Sequence, residues 1–273
     1  MKVFFLGTGS AEGFPALFSD TEINREALRR GGPNLRSRST IVVDGLVKVD
    51  LPPDSLAHVH RFPEVSLASL QHLLFTHSHD DHFAIRELQY LSPNFAPDRR
   101  YPLNVYAGNE LIRRMIPEMS SFFEAAPVRF HSIAPFEELT IGHLVIVPVL
   151  ARHKPDETCL NFVFRDGSSS CLYATDTGWY HDASWRYLEG AALDVVVLEC
   201  GKGIGDSPYE GHLSFDDCVR FRAELLRLGA LSPTGRVLLT HICPSGLLLH
   251  EELSERAAEH GMEVAWDGLE IAF

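Results

Sequence analysis

Residues 77–82 read His-Ser-His-Asp-Asp-His, an H-x-H-x-D-H pattern. Three imidazoles and the Asp81 carboxylate within six residues are the donor types that a pair of divalent cations needs in a hydrolytic site. Imidazole and carboxylate ligands without thiolates suit Zn²⁺, and also Mn²⁺ or Fe. A His-rich scavenging tract would need neither Asp81 nor an ordered frame. Here the frame is clear. Leu73-Leu74-Phe75-Thr76 is an apolar run that reads as a buried strand, and Ile85 to Leu91 has helical spacing. The motif therefore sits on a loop between a strand end and a helix start, a common place for a site on an α/β layer.

Three further candidate ligands repeat this arrangement. Val147-Pro148-Val149-Leu150 leads to His153, Cys171-Leu172-Tyr173-Ala174-Thr175 to Asp176, and Val237-Leu238-Leu239-Thr240 to His241. A lone His is usually a surface or satisfied residue. A His or Asp recurring at the mouths of buried strands reads as a ligand set.

The elements that must position these residues alternate unevenly. Strands are expected at 1–6, 40–43, 47–50, 103–107, 144–149, 160–164, 170–173, 195–198 and 237–239. The pair 40–43 and 47–50 forms a hairpin at Asp44-Gly45. Helices are expected at 22–30, 110–119, 181–188, 215–228 and 250–260, the first a short polar helix that could act as a flap. Met262 to Phe273 reads as a hairpin turning at Asp267-Gly268. Strands outnumber helices and many are adjacent hairpins, so a simple βαβ repeat is excluded. An α/β (α+β) architecture of two sheets with helices on their outer faces fits. Gly7-Thr8-Gly9 begins a Gly-rich turn. Without a G-K-[ST] it reads as a tight loop near the site more than as a phosphate cradle.

The chain has 273 residues, 45% of them hydrophobic and 22% charged, which fits one large globular domain over 1–273 whose halves meet near residue 150. No apolar stretch reaches the ~20 residues of a membrane span. Val3-Phe4-Phe5-Leu6 is too short for a signal peptide. A cytoplasmic protein with no membrane partner is expected. The five cysteines are odd in number and form no C-x-x-C, so buried, reduced thiols are expected rather than disulfides or a thiolate zinc site. The formal net charge of −13 argues against an extended nucleic-acid surface. It leaves room for a small anionic substrate, because bound cations reverse the sign locally.

The H-x-H-x-D-H motif followed by His153, Asp176 and His241, together with Asp50 at the end of Val47-Lys48-Val49, resembles the metallo-β-lactamase superfamily over nearly the whole chain. Within it, Gly7 to Pro15, Arg36 to Thr40, Ala174 to Thr177, His212 in Gly211-His212-Leu213-Ser214, and Leu239 to Ile242 are most similar to the phosphoribosyl 1,2-cyclic phosphate phosphodiesterases of the carbon–phosphorus lyase pathway. The Cys-rich knuckle of that family is replaced by Ala16-Leu17-Phe18-Ser19-Asp20, and its partner His by Pro244. A third, structural zinc is therefore not expected. The Gly13-Phe14-Pro15 turn and Pro52-Pro53-Asp54 also resemble the pyrroloquinoline quinone biosynthesis branch.

The resemblance implies a four-layer αβ/βα sandwich with two divalent ions, Zn or Mn (or Fe), at one edge. It implies that His77, His79 and His153 hold one ion, that Asp81, His82 and His241 hold the other, and that Asp176 bridges. A hydroxide shared by two such ions would attack phosphorus, with Asp81 and His212 as catalytic residues and His212 assisting the leaving group. The expected substrate is a small, ribose-type cyclic phosphodiester. Arg36, Arg38, Lys154 and Lys202 are candidates for a remote phosphate, although each alone reads as a surface charge. A tRNA 3′-processing-type endonuclease, a lactonase or thioesterase, and a sulfur dioxygenase-like oxidoreductase are the alternatives. A homodimer is compatible with the chain.

Overall fold

The computed structural model describes residues 1–119, 127–205 and 207–273. Six strands are laid down first: β1 (Lys2–Gly7), β2 (Thr40–Val43), β3 (Val47–Val49), β4 (His72–Leu74), β5 (Leu103–Ala107) and β6 (Val128–Ser132). Seven more follow: β7 (Leu139–Ile141), β8 (Leu144–Leu150), β9 (Leu160–Arg165), β10 (Ser170–Ala174), β11 (Leu193–Glu199), β12 (Leu231–Thr240) and β13 (Glu263–Val264). The last strand, β14 (Glu270–Ala272), returns to pair with β1. The result is two seven-stranded sheets, ordered β14-β1-β2-β3-β4-β5-β6 and β13-β12-β11-β10-β9-β8-β7. The chain crosses from the first sheet to the second between Ser132 and Leu139, ahead of the seam near residue 150 read from the sequence. By that residue the chain is already completing β8, whose far end delivers His153.

The strands are apolar on both faces because both faces are covered. In β11, Val195 and Val197 enter the core between the sheets with Phe5, Ile41, Phe162 and Tyr173. Val196 and Leu198 point the other way, under α4 (Asp182–Leu188), α5 (Phe215–Arg227) and α6 (His250–Glu259). On the outer face of the first sheet, Leu73, Phe75, Val105 and Ala107 pack against Leu111 and Met115 of α3 (Asn109–Met119) and against Ile85 and Leu88. Three packed cores thus separate four layers, which is the αβ/βα sandwich of the metallo-β-lactamase fold.

Several elements differ from the sequence reading. The segment Ile85–Leu91 is a 3₁₀ helix; its apolar spacing of three suits that turn as well as an α-turn. The expected hairpin over 262–273 is absent. β13 pairs with β12 in one sheet and β14 with β1 in the other, so this segment ties the sheets together. Strands of two and three residues form too few bonds to hold each other, and both find longer partners already in place. α1 (Glu22–Arg30) falls as expected, and α2 (Ser55–Arg61), β6 and β7 had no recognisable signal. Among the described residues no helix is long and apolar enough to cross a membrane.

Candidate metal centre

β8, β10, β11 and β12 run in one direction, because β8 and β10 each pair antiparallel with β9 while β10, β11 and β12 are mutually parallel. Their carboxyl ends therefore share one edge, and the residues that follow them meet there. β3 and β4 are likewise parallel and deliver Asp50 and the 77–82 loop. Asp50, Asp176 and His241 have φ of 63°, 52° and 56°, a left-handed conformation that non-glycine residues rarely adopt. Each leaves its strand by this turn. Such strained positions persist where the surroundings enforce them, and they concentrate at functional sites.

All seven candidate ligands come together. His77 Nε2 lies 3.0 Å from His79 Nδ1, and His153 Nε2 lies 2.9 Å from that same atom. Asp176 Oδ2 is 3.4 Å from His77 Nε2 and 3.5 Å from His153 Nε2. A tetrahedral ion with bonds of about 2.0–2.1 Å needs ligand atoms about 3.3–3.4 Å apart, so this quartet fits one ion. On the other side of Asp176, His82 Nε2 is 3.1 Å from Oδ2 and His241 Nε2 is 2.8 Å from Oδ1. Asp81 Oδ2 is 3.0 Å from His82 Nε2 and 3.8 Å from His241 Nε2. These form a second quartet that shares the Asp176 carboxylate.

The polar accounting supports the fit. Asp81 Oδ2, His82 Nε2 and His241 Nε2 are buried without a hydrogen-bond partner. Buried polar atoms are almost always satisfied. Orphans that converge on one point are what a cation would satisfy. Burial opposes charge throughout the cluster. Even so, His241 and His82 hold the Asp176 carboxyl well below the usual range, while Asp176 holds both imidazoles well above theirs. Ions binding here would replace protons on those rings.

Groups behind the cluster orient it. Asp50 Oδ2 accepts from His82 Nδ1 at 2.7 Å, and its Oδ1 accepts from the Thr76 amide at 2.8 Å. His153 Nδ1 donates to Gly211 O at 2.9 Å, which turns its Nε2 toward the cluster. His212 stands beside the cluster, its ring 4.8 Å from that of His153 and 5.2 Å from that of His241. Its Nδ1 donates to Glu199 Oε1 at 2.8 Å. Glu199 is fully buried and also accepts from the Thr177 and Gly201 amides. The sequence reading passed over Glu199. Its signal was the one used for the ligands, an acid closing the apolar run Val195–Leu198.

The family model of the beta-lactamase superfamily domain matches residues 40–242. The chain belongs to the metallo-β-lactamase superfamily. Among superfamily members, coenzyme PQQ synthesis protein B of Cupriavidus necator is 30% identical over 165 residues, covering 52% of this chain and 51% of that protein. The match thus spans about half the length of that curated relative. Two solved structures share the fold across the whole chain. A diphosphatase from the PhnP family superposes with a TM-score of 0.76 at 23% identity, covering 100% of this chain and 96% of the other. Zn²⁺-bound PqqB from Methylobacterium extorquens superposes with a TM-score of 0.80 at 19% identity, covering 100% of both.

This superfamily member does not use its sequence-selected cations uniformly. Arg36 is buried, with Nη1 bonded to Thr8 Oγ1 at 2.9 Å and Ala265 O at 2.6 Å, so it serves the scaffold. Arg38 pairs with Asp54 and donates to Ala11 O. Lys154 bonds Ser78 Oγ and Glu157, tying the His153 loop to the 77–82 loop. Lys202 lines a shallow hollow with Ser207 and Arg256. The Gly-rich turn is a close-packed loop: a Cβ on Gly7 would lie 2.0 Å from Arg38 O. All five cysteines are unpaired and buried.

Proposed function

We propose that the chain is a two-metal hydrolase that opens a small phosphodiester, with a ribose-type cyclic phosphate as the expected substrate. The carrying observation is the junction of two ligand quartets on one carboxylate with a braced imidazole, His212, at their rim. Two divalent ions held by His77, His79, His153 and by Asp81, His82, His241, with Asp176 between them, would supply an activated water and neutralise phosphoryl oxygens. The chain's own groups do the rest. Asp81 and Asp176 supply the negative charge that retains the ions. Glu199 fixes the ring and tautomer of His212, leaving Nε2 for the substrate. Burial lowers the His212 pKa, but the Glu199 carboxylate outweighs it and holds the imidazole above its ordinary value. That pairing favours a protonated His212, which would pass its proton to a departing alkoxide.

A net charge of −13 favours a small anion drawn to the ions over a polynucleotide held along the surface. Likeness to a diphosphatase supports chemistry at phosphorus. The test is turnover by metal-loaded protein of bis(p-nitrophenyl) phosphate, a p-nitrophenyl monoester, a lactone and a thioester. The diester should be cleaved best. Dominant lactone or thioester cleavage would replace this reading with one of carbonyl hydrolysis.

A further inference from the structure

Residues 207–210 are exposed, and one of them is turned back onto the metal edge. Tyr209 is 42% exposed, yet its hydroxyl donates to His153 O at 3.0 Å. Its ring meets the His153 ring edge-on, with centroids 5.8 Å apart, and the His212 ring in the same manner at 5.4 Å. The His153 and His212 rings are themselves 4.8 Å apart, so the three rings form one triangle. The His212 side chain is 24% exposed. The surface that exposes His212 is therefore bordered directly by an exposed phenol.

The backbone is shaped to hold the phenol there. A Cβ on Gly211 would stand 2.5 Å from Tyr209 Cζ and Oη, so the ring lies over a residue that must leave it room. The Gly211 carbonyl accepts from His153 Nδ1 at 2.9 Å. One residue earlier, Glu210 pairs with Arg152, and a Cβ on Gly178 would stand 1.7 Å from Glu210 O. Arg152 directly precedes His153, and Gly178 stands two residues after Asp176. The turn that carries Tyr209 is thus fixed to the segments that deliver two candidate ligands. Burial does not explain anchoring a ring that stays in solvent. A ring already ordered does, however, lose less entropy when something packs on it.

We propose that Tyr209 is a specificity-determining residue, a wall on which the ring of the substrate's leaving group packs. The proposal rests on the phosphodiesterase reading and adds which residue selects the leaving group. His212 is the group that would protonate the departing oxygen, and Tyr209 is its neighbour at the surface, so the moiety bearing that oxygen meets the phenol. In a ribose-type cyclic phosphate the departing oxygen stays on the sugar, which makes the furanose the occupant. The C–H face of a sugar is apolar with slight positive charge, and the face of an aromatic ring is negative. The Tyr209 hydroxyl is already committed to His153 O, so the ring is what the side chain offers.

The test is steady-state kinetics of the metal-loaded full chain on ribose 1,2-cyclic phosphate and on ethylene phosphate, a cyclic diester with no sugar. Metal content and bis(p-nitrophenyl) phosphate turnover are the references. The wild type should favour the ribose compound in kcat/KM by at least about tenfold, since only the sugar can pack on the wall. Tyr209→Ala should cut that preference about tenfold. The loss should appear as a rise in KM for the ribose compound with kcat little moved, because a wall touches ground state and transition state alike. Tyr209→Phe keeps the ring, gives up the bond to His153 O, and should retain most of the preference. A Tyr209→Ala protein that loses ions, or that falls equally on both cyclic diesters through kcat, would make the phenol a brace for His153 and overturn the wall. So would a Tyr209→Phe protein as impaired as Tyr209→Ala, or a wild type without the preference. In each of these cases diester turnover by the wild type leaves the phosphodiesterase reading standing. A wild type that opens neither cyclic diester and leaves bis(p-nitrophenyl) phosphate intact would remove the reading and the wall with it.

Discussion

Two clusters of buried polar side chains in this chain are finished differently. Behind the Gly-rich turn, Arg36 donates to Thr8 Oγ1, whose hydroxyl donates to Asp267 Oδ1 at 2.8 Å. Asp267 Oδ2 accepts from the Ser37 amide and hydroxyl, both at 2.7 Å, and Ser37 Oγ meets His58 Nε2 at 2.7 Å. Here donors and acceptors are matched within the protein, with His58 Nδ1 a solitary exception. At the metal edge, the orphans Asp81 Oδ2, His82 Nε2 and His241 Nε2 face one another. The difference is instructive. A satisfied buried network stiffens a scaffold, whereas converging unsatisfied lone pairs specify a ligand that the polypeptide does not contain. Both regions shift proton affinities, so shifted pKa values alone would not separate them. Burial lowers Arg36 to about 10 and His58 to about 3.

The contrast can be broken from the metal side first. Asp176→Asn removes the carboxylate shared by both quartets. Metal content should fall from near two ions per chain to below one, and activity by at least about 10²-fold. Elemental analysis and circular dichroism should show lost ions in a folded chain. Retention of both ions would refute the bridging role.

His212→Ala probes the rim of the same edge. It should keep the ions and lose about 10²–10⁴-fold on a ribose-type cyclic diester, but far less on a p-nitrophenyl diester, whose leaving group departs without a proton. Equal losses on both substrates would reduce His212 to a positioning role.

The satisfied network should respond in the opposite sense. Asp267→Ala strands the Ser37 amide, the Thr8 hydroxyl and the charge of Arg36 in the interior. It should cost roughly 2–4 kcal/mol in denaturant unfolding while leaving metal stoichiometry unchanged. Loss of ions without loss of stability would erase the distinction between the regions.

The smallest expected effect lies where the regions meet. Lys48 is fully buried, bonded to Thr40 Oγ1 and to the Asp50 carbonyl, and burial lowers its pKa to about 7 against the pull of Asp50. Between about pH 7 and the ordinary lysine value the unfolded chain binds this proton more tightly than the folded one. Stability attributable to Lys48 should therefore rise with pH across that window. Relative to Lys48→Met, the wild type should gain roughly 2 kcal/mol in urea unfolding between pH 7.5 and 9.5. Parallel pH profiles would mean that Lys48 keeps its proton when folded.

Much of this was legible in the chain alone. The 77–82 motif, the recurrence of His153, Asp176 and His241 after apolar runs, and the strands bearing them are local patterns, set by side-chain chemistry and by continuous apolar runs that bury both faces. Glu199 ends the same kind of run, but an acid becomes a brace only when a histidine thirteen residues later folds back on it. Arg36 read as a surface charge and Asp267 as a turn residue, because their partners are 28 to 230 residues away in sequence. The terminal segment had the residues of a hairpin, yet which sheet each short strand joins was decided by the longer strands already waiting at two edges. By itself, then, the sequence determined the donor types, their attachment to strand ends and the layered α/β architecture. Only the tertiary structure decided which buried polar groups would find partners and which would be left facing one another, because satisfaction of a hydrogen bond depends on atoms brought together across the whole chain.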